Sequence, residues 1–258
     1  MSMKKTKGKP GSEFLRSAKR AVKTASRKST SGKLIVIDGT DGSGKSTQID
    51  LLITHLKRDG HKVMTIHFPD YNNFIGGFIG HCLTEQYYNF INVHPKIVST
   101  LYAADRWESS AQIKKWLEDG FVVVLDRYVS ANQIHQGGKI ANAKKRADFI
   151  KWLDELEYKV FKIPRPDITL YLSLPVVLIE KLIKERNENK KAVRTYAGNK
   201  KDVHEVDLDF QKNSRTSAMW LSKVLPNFIK VDCAPRGKLL SRETIHDEVY
   251  KNVKKVLK

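Results

Sequence analysis

Cysteine is nearly missing from this chain of 258 residues, with Cys82 and Cys233 the only two. Two thiols so far apart exclude a disulfide framework and a cysteine-built metal site, and they are expected to be free thiols in a reducing compartment. Long apolar runs are also missing. None approaches the ~18 residues of a membrane span, so no such span is expected. Acidic residues are scarce, 28 against 47 Lys and Arg, for a formal charge of +19. Such a charge first suggests a nucleic-acid binder, but the excess is unevenly placed. Residues 1–33 hold eleven of the basic residues and one acid, Glu13, and the remaining 225 residues carry +9. That is moderate for a protein that handles polyphosphates. The hydrophobic share of 40% is enough for a sizeable core.

Residues 1–32 are rich in Lys, Ser and Thr and poor in large apolar side chains, and read as a basic, disordered tail. Phe14, Leu15, Ala18, Ala21, Val22 and Ala25 fall near helical spacing, which allows a short basic amphipathic helix. Three roles stay open: a solvated extension, an arm touching nucleic acid or an anionic surface, and an organelle-targeting peptide. The tail lacks the apolar segment of a secretory signal, and the cytoplasm is the expected location.

From residue 33 to 258 strands alternate with helical stretches, the mark of an α/β domain with a parallel sheet covered on both faces. Strands are expected at Leu34–Ile37, Lys62–Phe68, Phe121–Leu125, Asp167–Leu174 and Asn227–Val231. Helices are expected after the first strand, with Leu51, Leu52 and Leu56 on one face, and over Phe74–Thr84, Pro95–Leu117 and Ala143–Val160. Further helices follow to about Arg186, over Leu208–Val224, and from about Arg242. Residues 187–205 are charged and irregular, and read as a mobile lid.

The most informative stretch is Leu34 to Thr47, LIVIDGTDGSGKST. An apolar β-branched run suited to a strand buried on both faces leads into Gly39-Thr40-Asp41-Gly42-Ser43-Gly44-Lys45-Ser46, which fits G-x-x-x-x-G-K-[ST] at every fixed position. Glycines let the backbone curl so that several N–H groups converge on one anion, and the helix start adds its positive dipole end. Lys45 brings a mobile charge to the outer phosphates, and the Ser46 hydroxyl can ligate Mg²⁺. Downstream, Asp126 ends the most strand-like run in the chain, where open α/β sheets place their ligands and where a carboxylate commonly serves Mg²⁺. Arg127 beside it carries a charge that is costly at such a place without an anionic partner.

Taken in order, Gly39–Thr47, Phe68-Pro69, Ala103-Ala104-Asp105-Arg106, Asp126-Arg127-Tyr128, His135-Gln136-Gly137-Gly138 and Pro166–Leu172 resemble the thymidylate kinases over about residues 33–255. The resemblance implies a nucleoside-monophosphate-kinase fold of about five parallel strands, usually dimeric, that transfers the γ-phosphoryl of ATP to dTMP with Mg²⁺. It implies that the loop Gly39–Thr47 and Lys45 bind ATP and that Ser46 and Asp126 flank the metal. Asp41 matches a carboxylate contacting the acceptor's 3′-hydroxyl, and Phe68 and Tyr102 match the walls of the thymine site. Arg106 and Arg127 match residues gripping the base and the acceptor phosphate. His135 stands where relatives carry a sugar-policing aromatic, followed by Gln136. No arginine follows Phe68-Pro69, and none stands in the loop at Gly42 or Ser43. The positive charge needed at the transferring phosphoryl is therefore sought in the lid, with Arg194 the first candidate and Arg186 the second. Lys190, Lys191, Lys200 and Lys201 supply steering charge. Two other functions remain open: a kinase for another acceptor such as dUMP, kept alive by His135 and Tyr71, and a nucleotide-dependent nucleic-acid-binding protein.

Overall fold

The computed structural model describes residues 32–84, 87–189 and 207–258. The tail at 1–31 and residues 190–206 lie outside the described residues, so the expectations placed on Arg194, Lys190, Lys191, Lys200, Lys201 and the tail fall there. The chain opens with β1 (Lys33–Gly39), α1 (Lys45–Arg58), β2 (Val63–His67), α2 (Phe74–Leu83), α3 (Pro95–Glu108), α4 (Ser110–Glu118) and β3 (Val122–Asp126). A helical segment follows, from Val129 to Gln136. Then come α5 (Ala143–Asp154), β4 (Ile168–Ser173), α6 (Val176–Asn189), α7 (Leu208–Val224), β5 (Phe228–Asp232) and α8 (Arg242–Leu257). Among the described residues no helix is long and apolar enough to cross a membrane.

The five strands of the described residues are all parallel, in the order β2-β3-β1-β4-β5. The run Leu34-Ile35-Val36-Ile37 is fully buried because β1 is the middle strand. Strand alternation sends Leu34 and Val36 into one core with Val123, Leu125, Ile113 and Leu117, while Ile35 and Ile37 enter the other. In that second core Leu52 and Leu56 of α1 meet Val249 and Val253 of α8. Leu51, expected on the same helix face, is only half-buried, and Ile49 takes its place in the core.

Three expectations need correction. The single helix over Pro95–Leu117 is two helices that break at Ser109, where the Ser110 hydroxyl donates to the Trp107 carbonyl at 2.8 Å and competes with the helix ladder. The helix over Ala143–Val160 is α-helical only to Asp154, and residues Glu155–Val160 are wound as a π-helix. The charged stretch expected to be loop from 187 begins as helix, since α6 runs through Asn189. The segment Val129–Gln136, for which no element was expected, also ends in π-helical turns over Asn132–Gln136.

Those π-helical turns pack on α7. Gly138, just after the turns, lies against α7, and a Cβ built there would meet the Asn213 carbonyl carbon and the Ser214 nitrogen at 2.9 Å each, both backbone atoms. Gly138→Ala must push α7 outward and is expected to destabilise the fold by about 1–3 kcal/mol, the usual cost of overpacking. Urea denaturation at constant m-value measures it, and a loss below about 0.5 kcal/mol would mean that the two segments separate without strain.

Candidate functional site

The parallel register puts the phosphate loop, the end of β3 and the start of the chain beyond β2 at one rim of the sheet. Ile37 and His67 both stand opposite Asp126, and β1 runs on into the loop. Together these segments line a cavity of about 720 Å³ that contains Asp41 to Gln48, Phe68, Tyr102, Arg106, Asp126, Arg127, His135 and Gln136. Of the predicted site residues that are described, most line this one space, with Gly39 and Thr40 at the root of the loop, while Arg194 lies outside the described residues.

The loop is held from within. Lys45 folds back so that its Nζ donates to the Gly39 and Thr40 carbonyls at 3.1 Å each, and stands 3.7 Å from Asp41. Burial lowers the Lys45 pKa, and the Arg127 charge lowers it further, against the pull of Asp41, Asp126 and Asp38. Gly42 and Gly44 have φ of 79° and 88°, the left-handed region where glycine carries no Cβ penalty. Gly44 caps α1 without any side-chain hydrogen bond, which leaves the first helical N–H groups turned to the cavity. A Cβ at Gly42 would meet Ile183 of α6 at 2.8 Å. Apolar packing occupies the place where an arginine inside the loop would begin.

Arg127 sits in left-handed backbone, at φ 64°. A non-glycine residue accepts that strain only where its surroundings hold it, and three groups do so here. Its backbone N–H donates to Ile37 O at 3.0 Å, and its Nη2 donates to Asp41 Oδ1 at 2.5 Å. Nη1 lies 3.1 Å from His135 Nε2, while His135 Nδ1 lies 3.1 Å from the Ser214 hydroxyl. Since a guanidinium only donates, His135 accepts at Nε2 and carries its proton on Nδ1. The ring is also stacked at 5.7 Å and 8° on Phe210. Burial alone would lower the Arg127 pKa, but Asp41, Asp38 and Asp126 together outweigh it and the group stays firmly charged. Asp38 beneath them is fully buried, and burial raises its pKa despite the nearby Arg127 charge and the Ser130 hydroxyl at 2.6 Å.

Opposite the loop, Phe68 is buried with its ring 5.8 Å from Tyr128, and Tyr102 meets Phe90 edge-on at 5.9 Å. Gln136 is buried, and its Oε1 has no hydrogen-bond partner. Arg106 differs from the surface residue its helix position suggests: it is 1% exposed and paired with Glu157. Sequence reasoning missed Glu157, Asn132, Ser214 and Phe210, as well as Arg242, which lines the cavity from α8. The only signal for Glu157 is an acid set between the apolar Leu156 and the aromatic Tyr158 in a helical stretch.

The residues present fit a divalent cation. Asp126 Oδ1 is buried without a partner at the cavity wall, where an unpaired carboxylate oxygen is costly. Ser46 lies across from it at the start of α1, so one hard oxygen from each side is available, the ligand type Mg²⁺ takes.

Asp105, next to Arg106, is fully buried, accepts from the Asp70 N–H at 3.1 Å and has no partner for Oδ2. Burial raises its pKa from 3.8 to about 7, with the Arg106 charge opposing. The folded state therefore holds a proton that the unfolded state has released above pH ~4, and stability from this group declines as pH rises from about 4 to 7. Asp105→Asn cannot ionise, so the Tm of the wild type relative to this variant is expected to fall between pH 5 and 7.5. Parallel Tm curves would contradict a buried, protonated Asp105.

A family model described as thymidylate kinase matches residues 37–234. The thymidylate kinase of Schizosaccharomyces pombe is 32% identical over 147 residues, 57% of this chain and 63% of the relative. That of Plasmodium falciparum is 33% identical over 144 residues, 56% and 62%. These two alignments span a little under two thirds of the relatives' own length. The thymidylate kinase of Caldicellulosiruptor saccharolyticus is 28% identical over 228 residues, which cover 88% of this chain and 96% of that one. A solved thymidylate kinase from Candida albicans superposes with a TM-score of 0.65 at 26% identity, over 88% of this chain and 94% of that one. The sheet, the phosphate loop and the family match agree: the fold is that of a P-loop NTPase, and the chain belongs to the thymidylate kinase family.

Proposed function

We propose that this chain transfers the γ-phosphoryl group of ATP to dTMP, giving dTDP and ADP. The observation that carries the reading is the second compartment of the cavity. Beyond the phosphate loop it continues between Phe68, Tyr102, Arg106, His135 and Gln136. A protein that only switches on ATP binding needs no such compartment, which weighs against the nucleic-acid-binding alternative.

Lys45 and the loop amides hold the donor phosphates, and Arg127 holds the acceptor phosphate. A dTMP phosphate oxygen attacks the γ-phosphorus in line, forming the new P–O bond as the bond to the ADP oxygen breaks. That oxygen is already anionic at neutral pH, so no strong general base is required. Asp126 is assigned to the metal and to orientation. Ser46 and Asp126 would hold Mg²⁺, which when bound neutralises charge on the β- and γ-phosphates. Asp41, which the resemblance places at the acceptor sugar, is held by Arg127 and Lys45 at the cavity wall.

The loop has no arginine, and Ile183 fills its place at Gly42. The remaining cation for the transferring phosphoryl is assigned to Arg194 in the lid, with closure over the bound pair excluding water. The Candida albicans relative is described as having broad substrate specificity, and His135 leaves the same breadth open here, including toward dUMP. We further propose a homodimer, on the exposed Phe74, Ile97 and Trp107 of the adjoining helices α2 and α3.

ADP release from Mg-ATP, with dTMP, dUMP, UMP, dCMP and AMP offered separately, tests the reaction. Preference for dTMP is expected, and silence with every acceptor alongside good ATP binding would overturn the kinase reading. Arg194→Ala is expected to lower kcat about 10²–10³-fold, the cost of losing one positioned donor to developing charge, with little change in ATP affinity. A variant within threefold of the wild type would remove Arg194 from catalysis.

A further inference from the structure

Arg106 and Glu157 stand 51 positions apart in sequence and meet side-on at the wall of the acceptor compartment, with Nε to Oε2 at 2.7 Å and Nη2 to Oε1 at 2.5 Å. Their exposures are 1% and 0%. The pairing engages one edge of the guanidinium and leaves the Nη1 edge for the cavity that Arg106 lines. Asn132 joins the pair. Its Nδ2 donates to Ser99 O at 3.1 Å and to Glu157 Oε1 at 3.3 Å, which takes both amide hydrogens inward. The side-chain group Asn132 has left for the cavity is Oδ1. Asn132 and Glu157 both lie in π-helical turns, the wider winding that recurs at functional sites.

We propose that Glu157, which lies behind the pocket wall, is a positioning residue that sets the polarity of the wall facing the acceptor base. An ionised carboxylate accepts and never donates. It therefore draws the donors of both neighbours toward itself, and so fixes a donor-only group, Arg106, beside an acceptor-only atom, Asn132 Oδ1. That pair complements a base edge carrying a carbonyl at C4 beside an N3–H, as thymine and uracil do. Cytosine presents the opposite pattern, an amino group beside a bare N3, and would leave buried polar groups unpaired on both sides. Breaking the pair from the Glu157 side would also strand a buried arginine charge, so the polarity is coupled to local stability. The proposal rests on the reading of this compartment as a nucleoside-monophosphate site.

Calorimetric Kd values for dTMP and dCMP on the full chain test it, with kcat measured beside them. Glu157→Gln keeps the shape but brings an NH₂ against Arg106 or Asn132. It is expected to weaken dTMP binding about tenfold or more and to cut the dTMP-over-dCMP preference by a similar factor, with the KM for ATP within threefold of wild type. Glu157→Asp retains the charge and is expected to keep most of the preference. A folded Glu157→Gln protein with unchanged preference overturns the proposal. Should that variant fail to fold, Asn132→Leu keeps the Arg106–Glu157 pair and removes only the acceptor. Loss of preference in that variant supports the proposal, and its retention overturns it. A wild type that prefers dTMP in binding but transfers no phosphoryl would sink the kinase reading and leave the polarity argument standing. A wild type that binds both nucleotides equally overturns the polarity argument itself.

Discussion

A strand hydrogen-bonded on both sides has no free edge and no exposed face once helices cover the sheet, and β1 is the middle one of the three such strands described. Its pairing with β3 on one side and β4 on the other fixes the height at which the phosphate loop leaves the sheet. The same register brings Asp126 level with Ile37, so Arg127 emerges beside Asp41. The left-handed turn at Arg127 follows from this geometry: the chain must redirect at once to lay its guanidinium along the loop, and the Ile37 carbonyl, Asp41 and His135 hold it there.

The charges gathered at that rim also constrain each other. Asp38, Asp41 and Asp126 face Lys45 and Arg127, and every one of the five is wholly or largely withdrawn from water. Burial raises the Asp38 pKa and lowers that of Lys45, so both lean toward their neutral forms. Arg127 is driven the other way. A polyphosphate entering this set adds several negative charges, more than Lys45 and Arg127 can balance. A divalent cation at the Asp126 oxygen and further basic groups from outside the loop are the natural complement. The absence of a loop arginine and the basic composition of residues 187–205 point the same way.

Much of the fold was legible in the sequence because local signals coincide with tertiary demands. Five short runs rich in apolar and β-branched residues became five parallel strands, and the expected helix at Leu208–Val224 matches the observed bounds. Misreadings arose where a side chain overrode the backbone period. A serine pair split α3 from α4, and the buried demands of Glu157 and Asn132 coincide with π-turns that no 3.6-residue pattern announces. Arg106 shows the same limit at the site. On its helix it looks like an ordinary surface cation, and only Glu157, 51 residues away, makes it a buried one.

By itself the sequence determined the phosphate loop, since glycines, lysine and serine at fixed spacing shape an anion cradle through local backbone geometry alone. It also determined the centre of the parallel sheet, through the apolar runs that are buried as β1, β3 and β4. Tertiary structure alone decided which side chains complete the second compartment. His135 meets Ser214 and Phe210 across 75 or more positions, and Asn132 shares a carboxylate with Arg106 only because α3 and two π-helical segments converge behind the sheet rim. Hydrogen-bond partners at such separations are set by how elements pack, and no local pattern records them.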